Sequence, residues 1–199
     1  MKAVVVGRPP KKEEVAMVLD YLPYGHVSDS KSYQKHPLVQ ALGEANFVLI
    51  ELTPKEGVVP QVASRVYIGS GGRDIIDHVN RKIIYDDLSN AAKAELPFAI
   101  GKIIEENEPR FVKFFNEAGP ITTRMHALEL LPGIGKKLMW AIINEKKKGP
   151  FKSLKDISER VKGLHNPEKL LAKRIEEELL DEKIKYRVFT TEPRRPPQR

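Results

Sequence analysis

The chain has 199 residues, enough for one large domain or two small ones, each with a modest core. Hydrophobic residues make up 41% and charged residues 31%, an ordinary soluble balance that is somewhat rich in charge. Cysteine is absent, which excludes disulfides, thiolate zinc sites, iron–sulfur clusters and a cysteine nucleophile. No apolar run approaches a membrane span, and Met1–Gly7 is too short for a signal peptide, so a cytoplasmic protein without membrane contact is expected. The charge is uneven. Residues 1–120 hold 15 Lys/Arg against 16 Asp/Glu, whereas residues 121–199 hold 19 against 11, so the C-terminal part carries the whole formal excess of +7. Such a segment attracts polyanions by steering and counterion release, or serves only as a solvated surface.

A loose, flexible N-terminal lead-in is expected over residues 1–14, which contain Pro9-Pro10 and Lys11-Lys12-Glu13-Glu14. Five short strands follow: Val15 to Tyr21, Leu38 to Leu42, Phe47 to Leu52, Arg65 to Ile68 and Lys82 to Tyr85. Turns separate them at Tyr24-Gly25-His26, Thr53 to Gly57 and Gly69 to Gly72. Five strands in so short a stretch suit a small closed barrel, an OB-like fold over residues 15–88. A helical connector packed on that barrel is expected over 89–120, with Ser89 capping one helix, Pro97 opening a second and Asn107 capping a third. The stripe Phe111, Val112, Phe114 and Phe115 reads as core. Gly119-Pro120 marks the expected domain boundary. The fold class is therefore α+β, a small barrel followed by an all-α region.

In that region, over 121–189, Thr122 is expected to cap a helix presenting Met125, Leu128 and Leu131 on one face. Leu131-Pro132-Gly133-Ile134-Gly135 interrupts it, and a second helix starts near Lys136 with Leu138, Met139, Ile142 and Ile143 buried. This is the sequence form of a helix-hairpin-helix. Gly133 and Gly135 allow positive φ and leave room for a phosphate, and Ile134 anchors the turn inward. Free amides at the positive end of the helix, with Lys136 and Lys137 beside them, form an anion site that does not read bases. Met139 stands where such motifs usually carry a small residue. A fainter copy follows, with Ser153 capping residues 154–161, a turn through Gly163-Leu164-His165-Asn166 and a helix from Pro167; it is expected to be structural. Lys146-Lys147-Lys148 suits a helix C-terminus or a phosphate contact. Residues 190–199 are expected to form a disordered basic tail.

The first domain offers a second candidate surface. Arg65, Tyr67, Arg73, Arg81 and Lys82 alternate basic and aromatic groups, as small barrels do when they bind single strands. Gly69-Ser70-Gly71-Gly72-Arg73 lacks the Gly-Lys-Ser/Thr ending of a P-loop. Asp74, Asp77, His78, Asp86 and Asp87 have no metal-loop spacing, so no metal and no cofactor are expected.

Tyr67-Ile68-Gly69, Asp77-His78-Val79, Tyr85-Asp86-Asp87-Leu88, Ala118 to Arg124 and the glycine hairpin resemble an archaeal family catalogued as domain of unknown function 655. The resemblance runs from about Val15 to Phe189. It implies an OB-type barrel, a helix-hairpin-helix region and a nucleic-acid-binding role, and it implies no activity. The leading expectation is a non-enzymatic RNA- or DNA-binding protein that contacts the phosphate backbone without sequence preference, in translation or ribosome assembly. Two alternatives stand beside it. One is a protein–protein adaptor; the other is a helix-hairpin-helix DNA glycosylase or lyase using Lys137 and Asp156. Oligomeric state is not legible.

Overall fold

The computed structural model describes residues 4–5, 12–25 and 36–191. In chain order the strands and helices are β1 (Val4–Val5), β2 (Val15–Leu22), β3 (Leu38–Gly43), β4 (Leu49–Pro54), β5 (Arg65–Tyr67), β6 (Ile76–Lys82), α1 (Asn90–Glu106), α2 (Glu108–Glu117), β7 (Pro120–Thr122), β8 (Met125–His126), α3 (Lys136–Lys148), α4 (Leu154–Arg160), α5 (Pro167–Leu180) and β9 (Tyr186–Arg187). Short 3-10 turns at Tyr85–Asp87 and Ala127–Leu130 precede α1 and α3. The chain folds as two units, one holding residues 8–99 with Leu179–Lys183, the other Ile100–Glu178 with Ile184–Val188. Among the described residues, no helix is long and apolar enough to cross a membrane.

The first unit is a curled, five-stranded antiparallel half-barrel with strand order β5-β2-β3-β4-β6. Its three inner strands are near-continuous apolar runs, and Ala16, Val18, Val39, Ala41, Ile50 and Leu52 form the heart of the core. Register slips at Val18/Asp20, Glu51/Leu52 and Thr53/Pro54 bend the strands and give the sheet its curl. The expected closure is not seen: β5 and β6 remain the two edges, because β5 has only three residues and β6 is almost wholly exposed. The fifth strand also lies upstream of its expected place at Lys82 to Tyr85. The segment Asp77-His78-Val79-Asn80-Arg81 has little apolar alternation, yet it pairs with β4, while Tyr85–Asp87 winds into a 3-10 turn. Phe47, expected to begin a strand, instead turns the chain with φ of 49°.

Polar side chains fasten this sheet to its connections. Buried Gln40 donates to the Asp87 carbonyl at 2.9 Å and accepts the Ser89 amide at 2.8 Å. Ser89 accepts the Ala92 amide at 3.0 Å, the cap its sequence position implied. Glu13 lies inside the expected flexible lead-in but accepts the amides of Ala45 and Asn46 at 2.8 and 2.7 Å. Residues 1–3, 6–11, 26–35 and 192–199, which hold most of that lead-in, His26 and most of the expected tail, lie outside the described residues. Pro97 does not open a new helix. It sits exposed inside the 17-residue α1, so the hydrogen bond that its ring nitrogen cannot donate is lost on the solvent side.

In the second unit, Phe111, Val112 and Phe115 of α2, Met139 and Ile142 of α3, Leu154 and Ile157 of α4, and Leu171 and Ile175 of α5 are buried. Asn107 makes no side-chain cap; its amide donates back to the Ile103 carbonyl at 3.1 Å. Asn116 clasps Phe151, donating to its carbonyl at 2.9 Å and accepting its amide at 2.8 Å. The C-terminal strand β9 runs parallel to β1 and is held by buried charge. Glu178, fully buried, accepts Arg174 Nε at 2.9 Å and the Val188 amide at 2.7 Å, while its backbone carbonyl accepts the buried Arg187 guanidinium. Removing this carboxylate takes from the buried Arg174 guanidinium its nearest acid, leaving Glu177 at 3.8 Å. Glu178→Ala is expected to cost about 3–5 kcal/mol in urea unfolding. A loss below about 1 kcal/mol would mean that the network does not hold the strap.

Candidate nucleic-acid interface

The glycine turn is built as a tight reversal. The 3-10 turn Ala127–Leu130 ends with the Leu131 amide donating to the Leu128 carbonyl at 3.1 Å. One step later the Ile134 amide donates to the Leu131 carbonyl at 3.1 Å, closing the turn over Pro132-Gly133. Gly133 has φ of 86°, a left-handed conformation that a side chain would strain. Gly135 has φ of −85°, so its expected positive φ is not present; it is the extended residue that caps α3, and its carbonyl accepts the Met139 amide at 2.9 Å. Leu128, Leu131, Ile134 and Met139 point inward and are buried, while Gly133, Gly135, Lys136 and Lys137 are exposed. A methyl group on either glycine would meet nothing within 4 Å, so both look onto open space. No side chain caps α3, which leaves its first amides turned outward.

The helix expected before this turn is not there. Pro120, Ile121, Thr122 and Thr123 favour extended backbone, and β7 and β8 pair antiparallel across this stretch. Only the four residues Ala127–Leu130 coil, capped at their N-terminal end by a reciprocal pair. The Leu128 amide donates to His126 Nδ1 at 3.2 Å, and the His126 amide donates to Glu129 at 2.8 Å. Lys136 then bridges back, donating to Glu129 at 3.0 Å and to the Arg124 carbonyl at 2.8 Å. Sequence reasoning missed His126 and Glu129. Their spacing is that of a capping box with histidine in place of serine or threonine, which is the signal that could have found them.

The second turn repeats the first. Ser153 caps α4 by accepting the Asp156 amide at 2.9 Å. The Leu164 amide donates to the Val161 carbonyl at 3.1 Å, Gly163 has φ of 93°, and Val161 and Leu164 are buried. Then Asn166, with φ of 49°, leads into α5 at Pro167. Arg160 joins the two halves. It donates to the carbonyls of Glu145, Gly149 and Pro150 at 2.6, 2.8 and 3.2 Å, satisfying the open end of α3, and lies 4.6 Å from the centre of the Phe151 ring. Of the lysine run, Lys146 donates to the Ala118 carbonyl at 3.3 Å and Lys148 pairs with Glu145 at 2.6 Å, while Lys147 is exposed.

The half-barrel residues are not brought together. Arg65 and Tyr67 lie on β5, and Arg81 and Lys82 on β6, at opposite edges rather than on adjacent strands. Arg65 pairs with Glu44 at 2.5 Å, and Arg81 grips buried Glu51 with bonds of 2.7 and 3.2 Å. Arg73 braces its own loop through the Gly69 and Asp77 carbonyls at 2.9 and 3.2 Å. The Tyr67 ring lies so close over Gly69 that a methyl there would stand 2.3 Å from its hydroxyl. Asp156, the acid of the lyase reading, accepts the Lys152 amide at 2.9 Å and pairs with Arg160 at 3.2 Å; the amide first, and then Arg160, hold its carboxyl below the usual range. It is engaged in holding the start of α4.

A family model described as "Protein of unknown function (DUF655)" matches residues 12–191. The uncharacterized protein MJ0038 of Methanocaldococcus jannaschii is 50% identical over 184 residues, covering 92% of this chain and 82% of that protein. The crystal structure of Af1531 from Archaeoglobus fulgidus, assigned to the same family model, is 50% identical with a TM-score of 0.83, and the match covers 90% of this chain and 100% of that one.

His126 gives the turn a pH dependence. Burial, then the Lys146 charge, push the imidazole below its ordinary 6.5, against the pull of Glu129. The ring accepts a hydrogen bond and so must be neutral in the fold. The cap therefore contributes fully above pH 6.5 and is lost as pH falls through the lower folded value. Urea midpoints taken from about pH 7.5 down to pH 5 should fall more for the wild type than for His126→Asn, which caps without titrating. Equal slopes would rule this cap out as the source.

Proposed function

The chain belongs to the DUF655 family, and we propose that its helical unit is a pair of helix-hairpin-helix elements that grips the phosphates of a nucleic acid without reading its sequence. The single observation that carries the reading is the same turn built twice. In each, a left-handed glycine faces solvent, an apolar residue is buried behind it, and a 3.1 Å bond closes the reversal ahead of a helix. Gly135 is the N-cap of α3, a position glycine fills well, and its missing side chain leaves the first amides of the helix open to an approaching phosphate. Lys136 and Lys137 stand exposed on the first turn of α3, and the unit lies in the basic half of the sequence. The half-barrel is read as a partly open OB-type fold, a form that also serves nucleic acids. Its arginines are engaged in bracing the sheet and its loop, and Lys136 is likewise paired with Glu129, so the reading rests on Lys137 and the open amides at the start of α3.

Binding to ssRNA, hairpin RNA, ssDNA and duplex DNA across a salt series tests this. Log affinity is expected to fall linearly with log salt. Gly135→Ala fits both φ and space but is a poorer N-cap, so it should cost no more than about 1 kcal/mol of stability while weakening binding by about tenfold. Gly133→Ala should additionally cost about 1 kcal/mol of stability. Wild-type affinity in folded Gly135→Ala, or no binding to any of the four polymers, overturns the proposal.

A further inference from the structure

We infer that Trp140 is a base-stacking platform beside the phosphate turn, so that the ligand of this site is a nucleic acid with unpaired bases rather than a continuous duplex. This rests on the phosphate-binding reading above and narrows it. Trp140 is the only tryptophan of the chain and is 55% exposed, although tryptophan is ordinarily among the more buried residues. A single exposed apolar group is unremarkable by itself; its place on α3 gives it meaning. Residues three and four apart share a helix face, so Trp140 stands directly above Lys136 and Lys137. The same face continues through exposed Asn144 to exposed Lys147. The one acidic residue of α3, Glu145, pairs with Lys148 at 2.6 Å and Arg160 at 3.9 Å, so its charge is compensated.

Lys136 is paired with Glu129 at 3.0 Å, so the exposed face of α3 runs Lys137, Trp140, Asn144 and Lys147: cation, aromatic, amide, cation, beginning at the open amides behind Gly135. Five residues of helix carry Trp140 about 7.5 Å along the axis from Gly135. That is the reach from a gripped phosphate to the base of a neighbouring nucleotide. A duplex keeps its bases stacked and offers this ring only sugar and phosphate edges. A single strand, a loop or a frayed end offers a free π-face, and aromatic rings flanked by cations bind such bases with little sequence choice. An acidic protein surface would match the lysines equally, but it would gain nothing from the free amides placed for phosphate.

The sole tryptophan makes the test direct. Oligo-dT, a blunt duplex and inorganic polyphosphate are titrated into the full chain at low salt, following Trp140 fluorescence in parallel with polarisation of labelled strand or competition against it. Oligo-dT is expected to quench the emission strongly, the duplex weakly, and polyphosphate to compete without quenching. Trp140→Ala should lose about tenfold in affinity for oligo-dT, keep its salt slope and bind polyphosphate as the wild type does. Trp140→Phe should recover part of the loss. Binding of oligo-dT with unchanged fluorescence, or full affinity in folded Trp140→Ala, overturns the stacking while leaving the phosphate grip standing. Absence of binding to all three probes overturns both, and a Gly135→Ala variant that binds normally while Trp140→Ala does not overturns the grip alone. Co-purification of a protein that survives nuclease and high salt and is lost in Trp140→Ala would reassign the face to a protein partner.

Discussion

A glycine held at φ of 86° by a hydrogen bond from Ile134 to Leu131 is the constraint on which the helical unit turns. The bond fixes the reversal, and the reversal decides orientation. Leu131 and Ile134 go inward, while Gly133 and Gly135 come out with the first amides of α3. A side chain at Gly133 would strain the left-handed backbone by about 1–2 kcal/mol. The chain solves the same problem again with Val161, Gly163 and Leu164, at φ of 93° and the same 3.1 Å. Each turn leads into a helix, α3 or α5, that buries apolar side chains of its own.

Polar groups then do the positioning that apolar burial cannot. Hydrophobic contact is non-directional, whereas Arg160, with three carbonyls within 3.2 Å, admits one arrangement of the α3 end against α4. Glu178 does the same for the C-terminal strap, and Gln40 and Glu51 for the half-barrel. Each of these is buried or half-buried, and each spans elements far apart in sequence. A buried ion pair is a poor source of net stability compared with a well-packed apolar pair. Its value here is register: strap and sheet edge have only one place to sit.

What could be read in the sequence was local. Gly133 and Gly163, the cap at Ser153, the cap at Ser89 and the inward Ile134 are each specified by neighbours within a few residues, and the structure has them. The misreadings are decided by distant partners. Residues 120–126 have enough apolar spacing for a helix, but Pro120 and Thr122 pair with His126 and Met125 as a short ladder and leave only Ala127–Leu130 to coil. The strand β6 has almost no apolar alternation and exists because β4 offers it hydrogen bonds. Arg65 and Arg81 look like one basic face in sequence. Strand order puts them on opposite edges, and Glu44 and Glu51, invisible as partners from local pattern, engage both. Trp140 carries no local rule at all; only its exposure in the fold marks it.

The two turns are alike in backbone and unlike in what they present. After Gly133 the chain offers the amides of Gly135, Lys136 and Lys137 in sequence, with no side chain on the first and no cap over the set. After Gly163 the corresponding stretch runs through His165 and Asn166 into Pro167, which has no amide hydrogen to give. A polymer held by phosphates would therefore find one donor-rich turn and one donor-poor copy. The helix of the copy, α5, carries the buried Arg174–Glu178 pair that ties down β9. On the proposed reading, a strand anchored at Gly135 would run along α3 past Trp140 toward Lys147, where exposed cations continue along that helix.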